Sequence, residues 1–165
     1  MRRRIVREKV VQALYAYEIG GDSVDHVINT ILPGLNGNPV AYEFAKRLVA
    51  QTVSHTDEID KVIRDKVTNW DFKRIAILDR LILRMAICEL IYFKEIPPKV
   101  SMNEAIELAK LFSTQRSGQF VNGVLDAILV DMKSSGELAK TGRGLFEGDV
   151  AFPAGRNRRR KKPAE

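Results

Sequence analysis

Apolar residues recur every three to four positions over most of this chain, and no segment sustains period-2 alternation of β-branched residues between turn signals. The expected fold is therefore all-α. The spacing predicts a first helix over about 4–19, where Val6, Val10, Ala13, Leu14 and Tyr17 share one arc and Gly20-Gly21 stops the run. Arg4, Val11 and Tyr15 fall on the far side and give this helix a second, semi-apolar face, either covered by another layer of the same protein or open to a partner. A short helix over about 23–32, a loop over 33–38 and a helix over 39–53 opened by Asn38-Pro39 come next. Thr56 or Asp57 caps a further helix, whose stripe Ile59, Val62, Ile63, Lys66 and Val67 ends near Asn69.

From about Asp71 to Phe93 the chain is apolar nearly all round, the mark of a central, buried helix. Pro97 and Pro98 end it, and Ser101-Met102-Asn103-Glu104 has the form of a capping box opening a helix to about Phe112. Residues 113–119 read as a polar loop. The last helix carries Phe120, Val121, Val124, Leu125, Ile128 and Met132 on one side, with Gly123 at an expected close approach to a neighbour. About seven helices thus fill one domain over 1–133. Residues 134–165 are glycine-rich and poor in aliphatics, too little apolar surface to offset ordering entropy, so a disordered tail is expected there.

Charge changes the picture. Arg2, Arg3, Arg4, Arg7 and Lys9 crowd the start of the first helix, where the helix dipole already places positive partial charge. A fold gains little from that, whereas a polyanion meets side-chain cations and unpaired backbone N–H groups together. With Glu8 subtracted, residues 2–9 carry +4, residues 156–165 carry +5, and the body between them −3, out of a total of +6. Cations confined to two ends suit phosphate-binding arms; the plainer alternative is that they aid solubility. The lone cysteine, Cys88, rules out an internal disulfide and suits a reducing compartment, the cytoplasm by default. No uncharged apolar stretch reaches membrane-span length, and the N-terminus lacks the apolar core of a secretory signal.

A catalytic reading finds little. His26 and His55 have no cysteine or second histidine at ligand spacing, no Gly-Lys-Ser/Thr loop or GxGxxG turn is present, and Cys88 lacks an activating neighbour, so neither metal, nucleotide cofactor nor enzyme activity is expected. On the central helix Lys73, Arg80 and Arg84 share a face, with Asp79 about 100° away and Glu89 nearly opposite Arg80. This is either a solvated stripe with one internal ion pair or, for Asp79 and Arg80, an exposed edge that docks a protein. Arg116, Gln119 and Phe120 combine a cation, an amide and an aromatic ring around a flexible glycine, the chemistry of single-stranded RNA contact, although Phe120 also fits the edge of the core.

Three stretches carry a resemblance to a known family: Arg3-Arg4-Ile5-Val6-Arg7-Glu8 with Val11-Gln12-Ala13-Leu14-Tyr15; Leu83-Arg84-Met85-Ala86-Ile87-Cys88-Glu89-Leu90; and Asn103-Glu104-Ala105-Ile106-Glu107-Leu108-Ala109-Lys110 with Phe120-Val121-Asn122-Gly123-Val124-Leu125-Asp126. Over about 2–133 the chain resembles the NusB family of transcription antitermination factors. The resemblance implies two packed helical bundles that bind boxA-type RNA with NusE, a small-subunit ribosomal protein, and join an antitermination complex on RNA polymerase. It implies RNA contacts at Arg3, Arg4, Arg7 and Phe120, and NusE contacts at Tyr15 and Asp79. Arg2, Arg116 and Gln119 join the RNA set, and Arg80 the partner set, on chemistry alone. The same module opens certain ribosomal RNA methyltransferases, but this chain is too short for that catalytic domain. The competing expectation is a self-associating adaptor whose first helix closes a homodimer that masks the RNA site.

Overall fold

A computed structural model describes residues 3–67 and 72–145. Among them are seven α-helices: α1 (Arg3–Gly20), α2 (Val24–Ile31), α3 (Pro39–Ser54), α4 (Thr56–Lys66), α5 (Ile77–Tyr92), α6 (Pro98–Phe112) and α7 (Gln115–Ser135). Short 3-10 turns occupy Leu32–Leu35, Phe72–Arg74 and Gly142–Leu145. Arg2, the 156–165 cations and Asp71, where the central helix was expected to begin, lie outside the described residues.

Capping follows the sequence closely at two helix starts. Ser23 accepts a hydrogen bond from the His26 amide at 3.1 Å, and Asn38 accepts one from Ala41 ahead of Pro39. Four boundaries differ. Helix α4 has His55 in the cap position and starts at Thr56, so neither Thr56 nor Asp57 caps it. The central helix begins at Ile77, after a separate turn at Phe72–Arg74, with Ala76 extended between them. The helix expected to open on the Ser101 capping box begins a turn earlier, because Pro98 fits the first helical position; Ser101 lies inside and donates to Glu89 Oε1 at 3.2 Å. The expected polar loop over 113–119 is largely helix, since Thr114 accepts from the Ser117 amide at 3.2 Å and caps α7.

The helices form two groups joined through α5. Helices α1, α2 and α3 pack together, as do α4, α5, α6 and α7, while α1 and α3 lie against α5. All ten residues from Leu81 to Leu90 are buried, which explains the unbroken apolar pattern. Both faces of α1 are used, because it packs on α5 and α6 as well as on α2 and α3. Val11, placed on the second face by its spacing, is consequently in the core, whereas Tyr15 remains 42% exposed. Gly123 faces open space, contrary to expectation; the tight glycine is Gly118, where a Cβ would come within 2.8 Å of the Lys110 side chain.

Beyond α7 the chain turns at Gly136, with φ +75°, and residues 137–145 run back across the C-terminal end of α5 as a strap. Lys140 Nζ donates to the Glu89 and Phe93 carbonyls at 3.0 and 2.9 Å, and the Thr141 amide donates to the Lys94 carbonyl at 2.9 Å. At Gly144 a Cβ would sit 2.0 Å from that same carbonyl, so only glycine fits. This part of the expected tail is ordered by capping a helix end, with Leu138 the one side chain of the strap that packs on the core.

Candidate nucleic-acid interface

The arginines that the sequence marked for phosphate divide into two kinds. Arg7 is 2% exposed, and its Nε donates to Glu89 Oε2 at 3.0 Å while Nη2 donates to Glu89 Oε1. Burial works to discharge this guanidinium, but Glu89 more than offsets it and holds the group above the ordinary arginine range. Arg7 thus has no face for RNA, and its assignment as an RNA contact is corrected. It is an internal tie: Glu89 holds α1 through Arg7 and α6 through Ser101. Arg84 is a second tie, donating to Asp60 at 2.7 and 2.8 Å and lying 3.4 Å from Glu18. Of the stripe expected on the central helix, Lys73 is exposed and Arg80 half-buried, but Arg84 is drawn into an ion pair, so there are two internal pairs where one was expected.

Arg3 and Arg4 are exposed at the start of α1. Arg4 Nε lies 3.2 Å from Glu104 on α6, a solvent-facing pair of small energetic weight that a phosphate can displace. Arg3 has no carboxylate at ion-pair distance among the described residues.

The other half of the site is the start of α7. Arg116 and Gln119 are exposed, and Phe120 is partly buried against the core, which leaves part of its ring at the surface. Lys110, which sequence reasoning missed, lies across Gly118 in this first turn and is 3.3 Å from Glu107. Its signal was the bare glycine eight residues on, where the absence of a side chain lets a lysine stem cross the helix. The α1 and α7 halves are bridged by α6, which carries both Glu104 and Lys110.

Asp79 does not form an exposed edge. It is 6% exposed, accepts from Ser117 Oγ at 3.1 Å, and leaves its other oxygen without a partner. Burial pushes its carboxyl above the usual range against the lowering effect of the Ser117 hydroxyl. The exposed edge expected here is corrected: Asp79 is buried and holds Ser117 in the first turn of α7. Arg80 is partly buried with its guanidinium over the Phe72 ring. The exposed face of α1 carries Tyr15 and, one turn on, Ile19, 61% exposed.

Among the described residues no group of histidine, cysteine and carboxylate side chains is placed to hold a metal ion, and no helix is long and apolar enough to cross a membrane. Burial raises the Cys88 thiol to about 12, which makes it unreactive near neutrality.

Known proteins share this arrangement. The NusB family model matches residues 4–130. The transcription antitermination protein NusB of Salinibacter ruber is 47% identical over 149 residues, covering 90% of this chain and 93% of that protein. A solved NusB structure from T. maritima superposes with a TM-score of 0.74 at 34% identity, over 79% of this chain and 92% of that one. A structure described as antitermination factors NusB and NusE in complex with double-stranded RNA gives 0.67 at 30% identity, over 78% and 96%. With a buried Arg7–Glu89 tie at the centre and open cations at the starts of α1 and α7, this chain belongs to the NusB family of transcription antitermination proteins.

Proposed function

We propose that this antitermination factor is a non-enzymatic cytoplasmic adaptor that binds boxA-type single-stranded RNA together with NusE and joins an antitermination complex on RNA polymerase. The observation that carries the reading is the first turn of α7, where exposed Arg116 and Gln119 flank a partly exposed Phe120 and Lys110 crosses Gly118. Arg3 and Arg4 supply phosphate contacts from α1, and the Phe120 ring stacks a base, worth about 1–3 kcal/mol. The related NusB that was solved with NusE and RNA supports a joint complex. Tyr15 and Ile19 supply the apolar surface for NusE.

Anisotropy titrations with a boxA strand and a scrambled control, each with and without NusE, test this. Tighter binding of boxA, sharpened by NusE and weakened at least fivefold in Phe120→Ala at unchanged helicity, is the expected result. Equal binding of both strands would overturn it. The same exposed Tyr15 and Ile19 favour a second reading, a homodimer closed through α1 that masks the RNA surface. Sedimentation over a concentration series separates the two, since only the second predicts dimers that RNA dissociates.

A further inference from the structure

We propose that Arg64, Phe72 and Arg80 form a second contact surface for single-stranded RNA, continuing the path beyond the start of α7. The inference rests on the reading that the α7 end binds RNA.

Arg64 and Arg80 differ from the four arginines that are tied up in ion pairs. Arg7, Arg84, Arg47 and Arg4 each hold a carboxylate. Arg64 and Arg80 instead lie over one aromatic ring, with their guanidinium carbons 4.5 and 5.5 Å from the Phe72 centroid. Neither has a carboxylate at ion-pair distance among the described residues, and Arg80 Nε has no acceptor. Asp65, next to Arg64 in sequence, lines a cleft with Lys66, Asp131 and Glu137. Arg64 is exposed, and Phe72 and Arg80 are partly so.

Position links this cluster to the α7 end. Asp79, the residue before Arg80, accepts from Ser117, which lies between Arg116 and Phe120. The proposed path of a strand beyond the first turn of α7 runs over Arg80 and then Arg64. The chemistry fits: guanidinium groups bind phosphate in a bidentate manner and stack on bases, and a ring beneath them fixes their planes without neutralising their charge. With Asp79 buried, no exposed carboxylate of that helix turn opposes an arriving phosphate.

The test compares single strands of about 12 and about 20 nucleotides, the short one sized to a single binding face. The full chain, Phe120→Ala and the double variant Arg64→Gln/Arg80→Gln are titrated with both strands, and the double variant also with NusE. Wild type should bind the long strand roughly tenfold more tightly, and the double variant should lose that gain while keeping short-strand affinity and thermal stability. A long-strand gain that survives the double substitution, or no gain in wild type, overturns the proposal. So does a loss confined to NusE binding, which would assign the cluster to a protein partner. Failure of the underlying reading looks different: the short strand then binds poorly, or Phe120→Ala leaves its affinity unchanged.

Discussion

Arg7 stands in a run of cations, yet its partner is a carboxylate 82 positions away, and that separation decides its role. Removing one member of a buried, doubly bonded pair strands the other charge, at a cost of about 3–5 kcal/mol. Arg7→Met and Glu89→Leu are each expected to lose that much stability in denaturant unfolding. The double substitution should recover part of it, and Arg7→Met should leave the salt dependence of RNA binding unchanged. A flattened salt slope in a folded Arg7→Met protein would return Arg7 to the RNA surface. Sequence periodicity could not separate Arg7 from Arg3 and Arg4, because burial of a cation is written in a distant element. The burial of Asp79 was illegible for the same reason: its helix position could be read, but the serine bonded to it lies 38 positions on.

At the level of elements, most helices were legible because each buries a stripe of period 3.6, and α5 because it buries all sides. Boundaries set by single side-chain caps, such as Thr114, were missed where polar composition resembled a loop. The strap over 137–145 was also missed, for it is held by hydrogen bonds to a helix end and shows no apolar period. Its ammonium gives a pH signature. Burial lowers Lys140 from 10.5 to about 8, against the raising effect of Glu89 and Glu95. Between those values the unfolded chain holds a proton that the folded one lacks, so the strap gains stability as pH rises from about 8 to 10.5, loses it as pH falls back through that window, and is insensitive to this group below about 8. Protection of the Thr141 amide against hydrogen exchange should follow that trend, and Lys140→Met should abolish it. Gly144→Ala should remove the protection at every pH, since its Cβ meets the Lys94 carbonyl.

For the molecule as a whole, total charge does not locate the phosphate-binding surface. The +6 is an algebraic sum, whereas a nucleic acid meets only cations that internal carboxylates have not taken. Replacing Arg3, Arg4 and Arg116 together by Ala should lower the log-log salt slope of binding by about 2, at about 0.7 per neutralised phosphate of a single strand. A change in slope below about 0.5 would mean that these side chains do not reach phosphate. The family resemblance was legible in short stretches, two of which hold the buried partners Arg7 and Glu89. The capping of α5 by Lys140 has a practical corollary. A version of this chain shortened to residues 4–130 would uncap the Glu89 and Phe93 carbonyls and admit water behind the glutamate that steadies Arg7. Such a trimmed protein should melt earlier than the intact one, and its weaker hold on transcripts would then report a loosened scaffold, not a missing recognition group.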